Sequence, residues 1–212
     1  MNRIARPKLP VIILAAGFSS RLGRPKALAR VRSVTLLQRT LTHVVQSAPA
    51  KIVVVLPPRA RRYRVEARHF KVIFAVNPRR ADGLSGSVRR GLAAVRYSPA
   101  VLLLPVDLAT LRPRDLERLV ERWCSARRSV IARRVARPDG TFQGGVPLIL
   151  PRWLYPRAHA VGGDIGLRDL VGGLPPSRRV LVDLPAAALD VDTPQDLRIA
   201  RARARGAGNP RR

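Results

Sequence analysis

The chain has 212 residues, 46% of them hydrophobic, which suits one sizeable domain with a real core, or one domain with a small appendage. Its formal net charge of +28 comes almost wholly from arginine, since Lys8, Lys26, Lys51 and Lys71 are the only lysines; the arginines are spread along the whole chain, so a solvated basic surface accounts for the charge better than a dedicated nucleic-acid or membrane surface. The single cysteine, Cys124, excludes an internal disulfide framework, residues 11–16 are too short for a signal h-region, and no apolar run is long enough to span a membrane, so the cytoplasm is the expected compartment.

Residues 11–15 read as a buried strand that runs straight into the loop "AAGFSSRLGRPK". Leu36, Leu37, Thr40, Leu41, Val44 and Val45 share one face of a helix near 34–47. Strands follow at 52–56 and 72–76. Val88, Leu92 and Val95 mark a helix near 85–96, and a strand follows at 101–104. Leu116, Leu119, Val120 and Trp123 mark a helix near 113–127, with Pro113 at an early position. Further strands are expected at 130–132, 146–150 and 180–184. Continuous Val/Ile/Leu runs are how strands covered on both faces read. Strands alternating with helices predict an α/β fold, Rossmann-like and doubly wound, with a mostly parallel sheet and helices on both faces. From about residue 136 the pattern is less regular and richer in Gly and Pro, as expected of an excursion from the sheet. Residues 1–200 read as a single domain, and 201–212 as a basic, frayed tail.

In a sheet of this kind ligands bind at the carboxyl ends of the strands. The first loop lies there. Ala15, Ala16 and Gly17 carry almost no side chain, so backbone N–H groups can approach a ligand and form an anion-binding nest. Arg21 suits bidentate phosphate contact, and Lys26 suits a mobile, charge-neutralising role. Together they describe a triphosphate site. It is neither the Walker pattern, because Gly23 is followed by Arg24, Pro25 and Lys26, nor the dinucleotide fingerprint.

The string Leu-Ala-Ala-Gly-x-Ser-x-Arg-x-Gly-x-Pro-Lys from Leu14 to Lys26 resembles the signature of the nucleotidyltransferases that activate molybdenum cofactor and related small phosphorylated substrates. These are similar in fold to sugar-phosphate and isoprenoid-precursor nucleotidyltransferases. "NPRRADGLSGSVRRGL" resembles the family's second nucleotide-binding segment, and "LLPVDLATL" its metal-binding segment. "GGVPLIL", "GGDIGLRDLV" and "LDVDTPQDL" resemble three further blocks in the same order.

The resemblance implies a nucleotide-diphospho-sugar transferase-like fold. It implies transfer of a nucleoside monophosphate from an NTP to a phosphorylated small acceptor, molybdopterin, with release of pyrophosphate. The Ala-Ala-Gly form of the first block resembles members that use CTP. Leu14, Ala15, Ala16, Gly17, Arg21, Lys26, Asn77, Gly83 and Ser87 are the implied nucleotide-binding residues, with Arg21, Lys26 and Asp107 catalytic. Gly144, Gly145, Pro147 and Asp164 are the implied acceptor side. A molybdenum enzyme is a further implied partner, and no specific nucleic acid or membrane is.

Asp107 ends a buried run, where a carboxylate is costly unless compensated. A Mg²⁺ bridging the triphosphate would compensate it. Asp190 and Asp192 are the natural second carboxylates, and alternation puts both on one side of an extended segment. Asp192 or Thr193 also reads as an N-cap before Pro194, which leaves Asp190 as the preferred second metal ligand beside Asp107. Ser87 suits contact with a base edge, and Ser85 or Ser87 equally suits helix capping. Two positions depart from the family: Ala109 stands where Pro is usual, and Gly145 where relatives tend to carry His. Those departures keep open a non-catalytic nucleotide-binding relative that serves as partner or chaperone of a molybdenum enzyme. A basic nucleic-acid-binding protein ranks lower, with aromatic residues at only 4%. His43, His69 and His159 are far apart and with one cysteine make no zinc pattern.

Overall fold

The first apolar run forms β1 (Val11–Leu14), with all four residues buried. The structure is a computed structural model that describes residues 7–160, 162 and 166–206. A short hairpin of β2 (Arg30–Val31) and β3 (Val34–Thr35) leads into α1 (Leu36–Gln46). Then come β4 (Ile52–Leu56), α2 (Arg61–Glu66), β5 (Ile73–Val76), α3 (Gly83–Ala93), β6 (Ala100–Pro105) and α4 (Pro113–Ser125). The second half holds β7 (Val130–Ala136), β8 (Phe142–Pro151), α5 (Tyr155–Ala160), α6 (Gly166–Gly172), β9 (Arg179–Val182) and α7 (Pro194–Gly206).

Seven strands form one sheet in the order β5-β4-β1-β6-β8-β7-β9. All neighbouring pairs are parallel except those of β8, which runs against both β6 and β7. The mostly parallel sheet expected from the sequence is therefore present. Successive residues of its central strands enter two separate cores. Ile13, Val54 and Leu104 pack with Leu37 and Leu41 of α1 and Leu116 and Leu119 of α4. Ile12, Val55 and Leu103 pack on the other face with Val88 and Leu92 of α3. Burial on both faces is why these strands are uninterrupted Val/Ile/Leu runs.

The excursion expected after residue 136 is in fact a long hairpin. Strands β7 and β8 extend past their apolar centres and pair from Arg133↔Gly145 to Ala136↔Phe142. Arg, Gly and Gln in these arms broke the apolar pattern, although backbone pairing does not need it. The register shifts between Ala132 and Arg133, so Val146 and Pro147 form the bulge. Pro147 has no N–H to donate and is tolerated there.

A third, smaller core matters most for the site. Leu22, Val31, Leu36, Ala109, Val191, Leu197 and Ala200 join the first loop, the small hairpin and α7. Helix α7 runs to Gly206, past residue 201, where the sequence reading placed a frayed tail. Arg201 Nε donates to the Arg30 carbonyl at 3.0 Å and ties this helix to β2. Residues 207–212 lie outside the described residues.

Candidate active site

Beyond Leu14 the chain builds one wall of a cavity of about 350 Å³ at the carboxyl ends of β1 and β6. Ser19 (φ 57°) and Gly23 (φ 70°) take left-handed conformations on either side of a short helical turn at Ser20–Leu22. The Ser19 hydroxyl accepts the Lys26 backbone N–H at 3.0 Å, which sets the root of the Lys26 side chain. A Cβ at Gly17 would meet no protein atom within 4 Å, so the space beside it is open to a ligand. The carbonyls of Ala16 and Gly17 face away from that role. Both accept from Arg80, whose Nε donates to Ala16 at 2.9 Å and Nη2 to Gly17 at 2.6 Å. The same guanidinium lies 4.4 Å from the centre of the Phe18 ring. Arg80 also lines the cavity, and the sequence reading did not single it out. Its signal was only one arginine among many, 64 residues from the loop it clips.

Four charged side chains form a connected network on the wall. Lys26 Nζ donates to Asp107 Oδ2 at 2.8 Å and to Asp192 Oδ1. Arg21 Nη2 reaches the other oxygen, Asp192 Oδ2, at 2.6 Å. The side chains of Lys26, Asp107 and Asp192 are 19%, 20% and 28% exposed, so the network is partly withdrawn from water. Burial alone would lower the Lys26 ammonium. The charges and hydrogen bonds of Asp107 and Asp192 outweigh it and hold its pKa above the ordinary value.

The carboxylates are placed differently from the sequence expectation. Asp192, not Asp190, joins Asp107 on the cavity wall. Asp190 is taken by Arg133, at 3.0 Å from Nη1 and 3.5 Å from Nη2, and Arg133 Nη1 also donates to the Ala187 carbonyl at 2.6 Å. Partial burial holds the Asp190 carboxyl above the ordinary carboxylate value. Arg133 opposes this, and the charges of Asp107 and Asp192 add to it. Of the two residues the sequence offers as the cap of α7, Asp192 and Thr193, the cap is Thr193, whose Oγ1 accepts from the Asp196 N–H at 3.2 Å. Asp196 returns the bond, accepting the Thr193 N–H at 2.8 Å and the Asp192 N–H at 3.1 Å. This reciprocal cap leaves the Asp192 carboxylate for Lys26 and Arg21.

Leu14, Ala15, Ala16, Gly17, Arg21, Lys26, Gly83, Ser87 and Asp107, assigned from the sequence to nucleotide binding or catalysis, all line the cavity. Asn77 does not. It is 2% exposed, and its amide is spent inside the chain, donating to Ser87 Oγ and accepting from the Arg79 N–H, both at 3.2 Å. Its place is behind Ser87, which it orients. Neither serine caps the helix, because α3 already begins at Gly83 (φ 66°, ψ −152°), and that backbone favours glycine.

The turn after Asp107, which carries Ala109, is held from several sides. Arg39 Nε of α1 donates to the Ala109 carbonyl at 2.8 Å, Val191 N–H bonds the Asp107 carbonyl at 3.0 Å, and Leu108 bridges to Asp190.

On the acceptor side, Gly145 borders a second cavity of about 50 Å³. Leu84 is common to both cavities. Gly144 borders the small one too, but a Cβ there would lie 2.6 Å from Val171 Cγ1 and 3.1 Å from Ala132 Cβ, so tight packing by itself accounts for glycine. Pro147 is buried in the bulge and lines neither cavity. Asp164 lies outside the described residues.

The donor set fits a hard divalent cation. Two carboxylates converge on one point of the wall, and Mg²⁺ commonly uses one or two of these with phosphate oxygens and water. No group of three or more His, Cys, Asp or Glu side chains that could hold a metal occurs among the described residues.

A mostly parallel sheet whose carboxyl edge carries this small-residue basic loop opposite two carboxylates defines the nucleotide-diphospho-sugar transferase-like class of α/β proteins. Within it, the MobA-like NTP transferase domain matches residues 11–179, and the chain belongs to that nucleotidyltransferase family. It is 30% identical over 206 residues to the probable molybdenum cofactor guanylyltransferase of Rhodopirellula baltica, covering 93% of each chain. It is 33% identical over 191 residues to the bifunctional enzyme IspD/IspF of Clavibacter michiganensis, covering 87% of this chain but only 43% of that protein. The crystal structure of Rv0371c in complex with manganese, from Mycobacterium tuberculosis H37Rv, superposes with a TM-score of 0.72 at 26% identity, over 92% of this chain and 99% of that one. No helix among the described residues is long and apolar enough to cross a membrane.

Proposed function

We propose that the protein transfers a nucleoside monophosphate from an NTP to a phosphorylated small acceptor, with CTP as donor and molybdopterin as acceptor. The observation that carries this reading is the meeting of Lys26, Arg21, Asp107 and Asp192 on the wall that the Ala15–Gly17 loop completes.

In this reading the backbone N–H groups near Gly17, with Arg21 and Lys26, hold the triphosphate and draw its charge toward the loop. Arg80 keeps the loop in shape by taking up its carbonyls. Ser87, oriented by Asn77, contacts the base. The acceptor lies toward Leu84 and Gly145, where the small cavity adjoins the large one. An acceptor phosphate oxygen attacks the α-phosphorus, and the bond to the bridging oxygen breaks to release pyrophosphate. Catalysis comes from alignment and from fixed cations beside the developing charge, with no covalent enzyme intermediate. Asp107 and Asp192 would hold the Mg²⁺, which when bound supplies further neutralisation of phosphate charge.

Ala16 favours CTP. It is buried on the cavity wall, and its methyl group narrows the space beside the loop for a purine. The Rhodopirellula relative is named for guanylyl transfer, so the base is the feature on which this chain would differ. A molybdenum enzyme would be the consumer of the product. Pyrophosphate release measured over the four NTPs, with molybdopterin and other phosphorylated acceptors and Mg²⁺, tests the reading. Release with CTP and molybdopterin is expected, and no release with any pair would refute it.

A further inference from the structure

The carboxylates that suit a divalent cation already hold a cation of the chain's own. The Lys26 ammonium bridges Asp107 and Asp192, and Arg21 pairs with the remaining oxygen of Asp192. Two negative groups thus face two positive ones, and the local charge is near zero. Such a pair attracts an external dication poorly, because the ion must compete with an ammonium that is already desolvated and hydrogen-bonded.

The ammonium can leave without rearranging the loop. Its backbone N–H is anchored on Ser19 Oγ, so the root stays fixed while the four-carbon stem turns. The open side of the same wall, beside Gly17 and Arg21, is where the triphosphate is placed in the transfer reading on which this inference rests. A triphosphate carries several negative charges and offers the ammonium a stronger partner than two carboxylates shared with Arg21.

We propose that Lys26 is a resident counter-ion that keeps Asp107 and Asp192 closed to divalent metal until nucleotide draws it away, so that metal and nucleotide bind cooperatively. Each ligand then raises the affinity of the other, by the reciprocity of coupled binding. A Lys26 that served only to bind phosphate would not affect metal affinity in the absence of nucleotide.

The test is calorimetric titration with Mn²⁺ alone. Lys26→Met is expected to bind Mn²⁺ at least about tenfold more tightly than the parent, a typical coupling strength. Arg24→Gln removes an equal charge from an exposed position that does not line the cavity, and should leave Mn²⁺ affinity unchanged. The gain should vanish in Lys26→Met/Asp107→Asn. Adding α,β-methylene-CTP, which cannot be cleaved at that bond, should tighten Mn²⁺ binding in the parent more than in Lys26→Met. Circular dichroism checks that the variant is folded, and Lys26→Gln replaces it in the same titration if it is not. Equal Mn²⁺ affinity of parent and Lys26 variant without nucleotide overturns the inference, as does an equal gain in Arg24→Gln. Neither result touches the transfer reading, which stands or falls on pyrophosphate release by the parent. A Lys26 variant that gains Mn²⁺ affinity beside a parent that releases no pyrophosphate would keep the counter-ion and refute the transferase.

Discussion

Lys26 and Asp107 lie 81 residues apart in the chain and 2.8 Å apart in space. Parallel pairing of β1 with β6 brings them together. Leu14 is opposite Pro105, so the loop after one strand and the turn after the other leave the sheet at the same edge. The register of two buried strands thereby sets the spacing of the charges above them.

Lys26→Ala is expected to cut kcat by about 10²–10³-fold, the usual loss on removing one charge-stabilising group from a reaction centre. Its ion pairs also give a stability signature. A lysine whose pKa is raised on folding contributes stability that is complete below the ordinary value of 10.5 and is lost as pH rises through its folded value. Melting curves of parent and variant should differ at pH 8 and converge at strongly alkaline pH. An unchanged kcat at saturating NTP would remove Lys26 from the chemistry.

Asp192 and Asp190 can be separated by the same substitution. Asp107→Asn and Asp192→Asn should each weaken Mn²⁺ binding in the presence of nucleotide by about tenfold or more, the loss of roughly 1.4 kcal/mol. Asp190→Asn should leave it nearly unchanged, because that carboxylate is held by Arg133. Calorimetry on the three variants decides the pairing, and a large loss confined to Asp107→Asn and Asp190→Asn would restore the other choice.

Asp190 should make the protein less stable as pH rises. A carboxyl raised above its ordinary value of 3.8 binds more protons folded than unfolded in the interval between the two pKa values. Stability therefore falls as pH rises through that interval and stays lower above it. Asp190→Asn keeps an acceptor for Arg133 without the charge. Its Tm should equal or exceed that of the parent at pH 7, and the difference should close below the carboxylate range. A variant that melts lower at pH 7 would mean that the charged pair with Arg133 outweighs the cost of burial.

Arg80→Ala should raise KM for the NTP by about tenfold, equivalent to roughly 1.4 kcal/mol, with a smaller effect on kcat. The substitution frees the carbonyls of Ala16 and Gly17 and lets the loop sample shapes in which its N–H groups miss the phosphates. Arg80→Lys should recover only part of the loss, because an ammonium cannot present the planar fork that reaches both oxygens. Steady-state kinetics at varied NTP reads the split. A fall in kcat with KM unchanged would place Arg80 in the transition state and not in the shape of the loop.

Ala16→Gly should shift the ratio of kcat/KM toward GTP. The shift is modest if the methyl group acts by size alone, and larger if the base is held by hydrogen bonds, since a buried group left unpaired costs about 1–3 kcal/mol. A parent enzyme that prefers GTP refutes the assignment of Ala16.

The fold and the cavity wall were legible in the sequence because their causes are local. Strands buried on both faces must be apolar throughout, and the loop that follows stands out as small and basic, so Val11–Leu14, Ala15–Gly17, Arg21 and Lys26 announce themselves within a few residues. The arms of β7 and β8 were missed because backbone pairing leaves no mark on side-chain polarity. What only the tertiary structure decided are the choices between equivalent residues. Asp190 and Asp192 are the same chemistry two positions apart, and alternation points both the same way. The choice depends on Arg133, which takes the first, and on Asp196, which relieves the second of capping. Arg80 was one arginine of many until the sheet brought it against the carbonyls of Ala16 and Gly17. Residue type limits which bonds a side chain can make; which bond forms depends on the partner that distant parts of the chain bring within reach.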